Sequence, residues 1–228
     1  MRINVITFPG SNCDYDAFHI GTTRGHQVEF VWHKDTQLKN PDLVIIPGGF
    51  SYGDYLRCGA IAKLSPIMPE IVKFANKGGL IMGICNGFQI LTEVGLLPGA
   101  LMMNESLKFI CQHQYITAVN NNSVYTKGLI PGKPLDIPIA HKEGNYFIDN
   151  DGLKLLQDKD LIAFKYCNEN GEIDRKYNPN GAVDNIAGIL NEKKNILGMM
   201  PHPERAAESL VLSQDGQEIF DSIEKFYS

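Results

Sequence analysis

The run GLIMGICNGFQILTE, residues 79–93, constrains this chain more than any other stretch. Leu80, Ile81 and Met82 form a short apolar run, and Gly83, Ile84, Cys85, Asn86 and Gly87 follow at once. Phe88, Ile90, Leu91 and Val94 then recur at helical spacing. The pattern predicts a buried strand that enters a tight turn and leaves as a helix, with Cys85 at the corner. Gly83-x-Cys85-x-Gly87 has the form of a nucleophile elbow with sulfur in place of a serine hydroxyl. A sharp strand-to-helix turn crowds any side chain flanking its corner, hence the glycines. A sulfur placed there sits near the positive end of the new helix, which favours thiolate over thiol. Taken alone, the run fits either a small buried cysteine or a catalytic one.

The flanking pattern predicts the fold class. Ile3–Phe8, Gln27–Trp32 and Asp42–Pro47 read as strands; Asp14–Arg24 and Ile67–Asn76 read as helices, closed by Gly25 and by Lys77-Gly78. Asn12 or Asp14 is the expected cap of the first helix. Strand and helix alternate at short intervals, so we expect an α/β, flavodoxin-like, doubly wound and mostly parallel sheet with helices on both faces. Beyond Gly99 the strand-like stretches Met102–Val119, Leu135–Ile148 and Leu161–Cys167 carry polar breaks, such as Asp149-Asn150-Asp151. They predict a small antiparallel excursion packed beside the main sheet. Ile186–Leu190 and Ile196–Met200 read as two strands, and Gln214–Tyr227 as a closing amphipathic helix. No linker separates domains, so residues 1–228 are expected to form one domain.

Composition removes several function classes. A net charge of −5 and a pI near 5.7 leave no basic stripe for nucleic acid. The apolar runs are of core-strand length, too short for a membrane span. The N-terminus MRINVITFPG shows no secretory signal, and five cysteines without regular spacing suggest reduced thiols in a cytoplasmic setting. No CxxC pair occurs, so no metal site is expected.

A cysteine nucleophile needs a base, and the base works better when a third group orients it. Of six histidines, only His202 stands in such a context, Met200-Pro201-His202-Pro203-Glu204 directly after a predicted strand. The prolines favour an extended backbone, in which residues two apart point the same way, so Glu204 stands beside His202. A strand end with a capping histidine and a solvated glutamate fits the same residues. Paired with an elbow at another strand end, the catalytic reading gains, because both would lie at the carboxyl edge of a parallel sheet. For the oxyanion, the Asn86 N–H is one natural donor, and the glycines of Pro47-Gly48-Gly49-Phe50 let backbone approach a ligand closely. An ordinary tight turn fits Gly48-Gly49 equally.

GICNGFQ around Cys85, PHPE at 201–204 and PGGF at 47–50 together resemble the class I (triad-type) glutamine amidotransferases. The longer run PGGFSYGDYLRCGAIA at 47–62, with FPGSNCD at 8–14 and NPNGAVDNIAGI at 178–189, is similar to the glutaminase subunits of phosphoribosylformylglycinamidine (FGAM) synthase. The resemblance runs from Ile3 past Glu204; Lys142 departs from it, standing where a small residue is expected. It implies that Cys85 attacks the side-chain amide of glutamine to form a γ-glutamyl thioester, that His202 shuttles protons and that Glu204 orients His202. It further places the second oxyanion donor at the Gly49–Phe50 peptide and a substrate contact at Gln89. No cofactor is implied in this chain; ATP and Mg are expected on a partner synthetase subunit, PurL, with a small third subunit, PurS. That synthetase converts formylglycinamide ribonucleotide (FGAR) to FGAM.

The chain itself carries neither G-x-x-x-x-G-K-[ST] nor G-x-G-x-x-G, so a partner is needed to use the ammonia. Tyr52, Tyr55 and Arg57, in a glycine-rich loop, are the candidate docking residues. Cys13, Cys58, Cys111 and Cys167 read as core or loop residues. His19, His26 and His33 read as capping or solvent-facing, and His141 with Glu143 as substrate-side or interface groups. Two other classes remain open: another cysteine hydrolase on this scaffold, and a catalytically retired scaffolding subunit.

Overall fold

The computed structural model describes residues 1–227. Strand β1 (Arg2–Thr7) leads to helix α1 (Asp14–Thr23), then to β2 (Gln27–Trp32) and β3 (Leu43–Ile46). Helix α2 (Met68–Asn76), β4 (Leu80–Ile84) and α3 (Asn86–Glu93) follow. Next come β5 (Ala100–Met102), β6 (Ile110–Ala118), β7 (Pro134–His141), β8 (Asn145–Phe147), α4 (Asn150–Asp158) and β9 (Ile162–Tyr166). β10 (Ile186–Leu190), β11 (Ile196–Met199) and α5 (Gln217–Tyr227) close the chain.

One sheet of nine strands runs in the order β2-β1-β3-β4-β11-β10-β9-β6-β7. The first five are parallel, in the doubly wound order, and the last four are antiparallel to their neighbours. β3 and β4 are buried along their whole length, as continuous apolar runs such as LVII demand. Two faces can be told apart by the glycines and isoleucines of adjacent strands. Gly83 and Gly198 sit side by side and face α3, where an added Cβ would meet Leu91 at 2.4 Å and Phe88 at 2.2 Å. Ile3, Leu43 and Ile45 face α1 and α5 instead, where Arg24 ion-pairs with Asp221 and Glu224.

The structure corrects three expectations. The antiparallel strands do not pack beside the main sheet; they extend it, because the β10–β11 hairpin hands the edge on from β11. Among the described residues, only β5 and β8 form a separate pair. Asp149-Asn150-Asp151 is not a break between strands. It starts α4, with the Asp149 carboxylate accepting from the Gly152 N–H at 2.7 Å as N-cap. The cap position of α1 falls on Cys13, with no side-chain cap.

Register sets the strand ends level with one another. Ile46 lies beside Gly83 in β4, and Met199 beside Ile84. The residues immediately beyond these ends, Gly48-Gly49, Cys85 and His202, are therefore brought to one carboxyl edge.

Candidate active site

Cys85 stands between β4 and α3 with φ 51° and ψ −104°. This left-handed backbone is strained for a side chain with a Cβ, and it survives only where the surroundings enforce it. They do so here. The Cys85 N–H donates to the Met199 carbonyl at 2.8 Å. Any Cβ on Gly87 would lie 1.9 Å from the Ile46 carbonyl oxygen, so only glycine lets α3 start this close to β3. The Cys85 thiol donates to the Ala140 carbonyl at 3.6 Å.

Beyond β11, His202 and Glu204 are both buried, and His202 Nδ1 lies 2.7 Å from Glu204 Oε1. The expected extended backbone holds only to His202: Pro203–Arg205 is a 3-10 turn, and that turn swings the carboxylate against the ring. The His202 N–H donates to the Pro138 carbonyl of β7 at 2.9 Å, which fixes the segment. Burial works against a charge on His202. The Glu204 carboxylate, then the Cys85 and Cys13 sulfurs, outweigh it and hold the imidazole well above its ordinary value. His202 Nε2 is buried without a hydrogen-bond partner, and is thus the ring atom left to handle protons.

One neighbour of this pair escaped the sequence reading. Cys13, read as a core or loop residue, packs beside the imidazole: atoms of Cys13, His202 and Glu204 lie within 4.8 Å of one another. Burial pushes the Cys13 thiol up, and its proton goes to Asn12 Oδ1 at 3.2 Å. Gly48 separates the groups: a Cβ there would stand 2.6 Å from His202 Cε1, 3.1 Å from the Cys13 sulfur and 3.4 Å from Cys85 Cβ. The turn PGG is thus required by nucleophile and base approaching one another.

The expected oxyanion groups lie around the same corner. Asn86 opens α3; its Oδ1 accepts from the Ser51 N–H at 3.2 Å, and its Nδ2 donates to Gln89 Oε1 at 2.9 Å. Gln89 in turn donates to the Glu143 carbonyl at 2.6 Å. Gly49 adopts φ 140°, and the Phe50 N–H donates to the Gly10 carbonyl at 3.0 Å. In this conformation Phe50 is therefore committed away from Cys85.

A cavity of about 290 Å³ opens against Cys85, with Gly49, Phe50, Gln89, Asp54, His141 and Glu143 among its walls. Two larger clefts, about 590 and 600 Å³, lie towards the opposite edge of the sheet, away from the cysteine. Of the three docking residues, Tyr55 is 71% exposed and Arg57 pairs with Glu93 at 2.5 Å. Tyr52 points inward, its hydroxyl 2.6 Å from His33 Nδ1 and 2.9 Å from Ser65 Oγ. His33 is consequently buried, where a solvent-facing or capping histidine was expected.

The run at 178–189 has a structural task. Asn178 Oδ1 accepts from the N–H groups of Asn180 and Gly181, which turns the loop inward. The buried Asn180 side chain then donates to the Gly144 carbonyl at 2.8 Å and to the Tyr166 hydroxyl at 3.1 Å, bracing the β7–β8 turn at the cavity wall.

Against known families, residues 1–226 match the CobB/CobQ-like glutamine amidotransferase domain. This chain belongs to that family. It is 53% identical over 224 residues to the phosphoribosylformylglycinamidine synthase subunit PurQ of Koribacter versatilis, covering 98% of this chain and 97% of the relative. PurQ of Synechocystis sp. is 53% identical over 219 residues, covering 96% of this chain and 98% of the relative. A chain in the PurLQS structure from Thermotoga maritima superposes with a TM-score of 0.87 at 43% identity, covering 100% of this chain and 99% of that one. A glutamine amidotransferase from Thermotoga maritima shares the fold, with a TM-score of 0.52 at 14% identity over 100% of this chain and 85% of its own.

Proposed function

We propose that this chain is the glutaminase subunit of an FGAM synthase, acting as one amidotransferase domain with Cys85, His202 and Glu204 as its triad. The observation that carries the reading is the register that sets the Cys85 elbow beside a buried His202–Glu204 pair. Relatives named PurQ at 53% identity over nearly the whole chain supply the substrate class. Cys85 Sγ attacks the side-chain carboxamide carbon of glutamine while its proton passes to His202 Nε2. His202 returns that proton to the nitrogen of the tetrahedral adduct, and ammonia departs as the C–N bond breaks, leaving the γ-glutamyl thioester. Water then attacks the thioester, His202 takes the water proton and gives it to the thiolate, and glutamate leaves. Glu204 holds the ring by Nδ1 and stabilises its charged form.

The Asn86 N–H supplies one oxyanion donor. The Gly49–Phe50 peptide supplies the other only after turning from Gly10, so the free chain is a weak glutaminase until a partner rearranges that loop. The partners are a synthetase subunit, PurL, which uses ATP and Mg to convert FGAR to FGAM, and a small third subunit, PurS. Phe50, Tyr55 and Leu56, exposed near the cavity, form the docking side together with Arg57. The five free cysteines favour a reducing, cytoplasmic setting for the complex. No described helix is long and apolar enough to cross a membrane.

Ammonia release from glutamine by wild type and Cys85→Ala, each alone and with the synthetase subunits, FGAR and ATP, tests the reading. Activity in wild type alone of the two, raised by the complete system, is expected. Activity in both would remove Cys85 as nucleophile, and none under any condition would leave a scaffolding subunit.

A further inference from the structure

The γ-amide of glutamine accounts for one end of the cavity at Cys85; the far wall has a chemistry of its own. Asp54 reaches it from the loop after β3, and Glu143 from the turn after β7. The Cys58 thiol faces both carboxylates and is pushed far above its ordinary value, first by burial and then by their charges. Burial, and the charge of Glu143, likewise raise Asp54. Asp54 Oδ1 is buried with no hydrogen-bond partner, and among the described residues no lysine or arginine forms an ion pair with either carboxylate. Lys142 also lines the cavity but reaches neither. Two like charges facing one cavity with a buried oxygen left bare is a costly arrangement in a resting protein.

An independent group on the same wall points the same way. His141 is 3% exposed, and its Nδ1 lies 3.2 Å from Asn104 Oδ1. Asn104 Nδ2 donates to the carbonyls of His141 and Lys108, so Oδ1 is an acceptor, and it also takes the Gly144 N–H. The His141 proton therefore resides on Nδ1, and Nε2 is a bare lone pair, buried without a partner. Asp54 Oδ1 and His141 Nε2 are thus buried acceptors without a donor, beside Glu143, whose Oε2 takes the Cys58 N–H at a long 3.5 Å.

The group that complements such a wall is an ammonium: positive, with donors only. Resting on the glutaminase reading, we infer that Asp54 and Glu143 bind the α-ammonium of the glutamine substrate and so select an α-amino amide over a plain one. The backbone supports this placement. Tyr52, Asp54 and Leu56 all have φ between 54° and 72°, and the Tyr52 hydroxyl anchors the loop on His33 and Ser65. Such a backbone persists only where its surroundings enforce it, and here it presents Asp54 to the cavity.

The test uses the assembled complex with FGAR and ATP, and compares glutamine with glutaramate, the same molecule without its α-amino group. For wild type, Asp54→Asn and Glu143→Gln, the KM for glutamine and the Ki of glutaramate as a competitor are measured. Asp54→Asn should raise the KM for glutamine by about 30-fold, with Glu143→Gln close behind, while the Ki of glutaramate stays within about twofold. Turnover at saturation should change by no more than about threefold. A parallel rise in KM and Ki would overturn the assignment, since it would mean a damaged pocket or acceptors that grip the departing ammonia. An unchanged KM would overturn it too. Absence of glutaminase activity in the wild-type complex would instead remove the underlying reading, and the assignment with it. Iodoacetamide alkylation of Cys85, which needs no α-ammonium, shows for each variant that the nucleophile is still in place.

Discussion

His202 and His141 end up within reach of one another's charge, yet the protein treats them oppositely. The first follows β11 and the second ends β7; they are 1% and 3% exposed, and each has a buried Nε2 with no partner. Burial disfavours the charged form of both. What differs is the group on Nδ1: a carboxylate oxygen 2.7 Å away for His202, an amide oxygen 3.2 Å away for His141. With Glu204 beside it, His202 is held well above its ordinary value; with Asn104, His141 falls to about 4, burial being helped by the charge on His202. Desolvation sets the penalty, and the Nδ1 partner decides the sign. The site thereby makes His202 the ring that readily takes a proton beside Cys85 and leaves a neutral acceptor on the substrate side.

Glu204→Gln breaks the comparison most severely. It replaces the carboxylate on His202 by an amide, so that both rings have the same class of partner. The glutaminase rate of the complex should fall by about 10³-fold, since the imidazolium loses its counter-charge and the ring its preferred tautomer. In a histidine NMR titration, the His202 signal should move down towards that of His141. A rate within about threefold of wild type would mean that Glu204 is a structural residue rather than part of the triad.

Acid stability separates the two rings next. In the unfolded chain His141 takes a proton near 6.5, and in the folded chain only near 4. Between those values the unfolded state binds more protons, so stability drops as the pH falls through this window, by about 3 kcal/mol in all. His202 behaves in reverse. Its folded value is raised, so its contribution is fully present below about 6.5 and is lost as the pH rises through the folded value. Urea melts from pH 4 to pH 8 on wild type and His141→Gln check this: the variant should lose the acid-side slope. An unchanged slope would place its origin elsewhere.

What the sequence shows of this site depends on how locally each part is specified. The Cys85 corner is legible because Gly83 and Gly87 are demanded by contacts that every sharp strand-to-helix turn makes, here with Leu91 and the Ile46 carbonyl. The PHPE segment is legible for a similar reason, since two prolines and a strand before them confine it. Cys13, Asp54 and the burial of His33 were not legible. Each owes its role to residues far along the chain: Cys13 to His202, Asp54 to Glu143, and His33 to the Tyr52 hydroxyl. The fold divides the same way. The parallel strands β1, β3 and β4 announce themselves as apolar runs buried on both sides, whereas the alternation in β6 and β7 says that one face is covered without saying which strand lies alongside. Helix α4 was lost to its own cap, since Asp149-Asn150-Asp151 has the composition of a turn, and only the bond to the Gly152 N–H distinguishes a helix start.

The subtlest way to sharpen the comparison is Asn104→Asp, which gives His141 the kind of partner that His202 has. The carboxylate on Nδ1 should carry the His141 titration from about 4 to above its ordinary 6.5. That gain is offset, because Asn104 Nδ2 donates to the carbonyls of His141 and Lys108, and an aspartate turns an oxygen towards them. A net loss of about 2 kcal/mol in a urea melt at pH 7 is expected. Activity of the complex should fall by about tenfold, as a second cation beside His202 makes its own protonation harder and removes an acceptor from the substrate wall. The decisive reading is the direction of the His141 shift. If the titration stays near 4 with a carboxylate on Nδ1, burial alone governs the ring, and the Nδ1 partner does not set the charge pattern of this site.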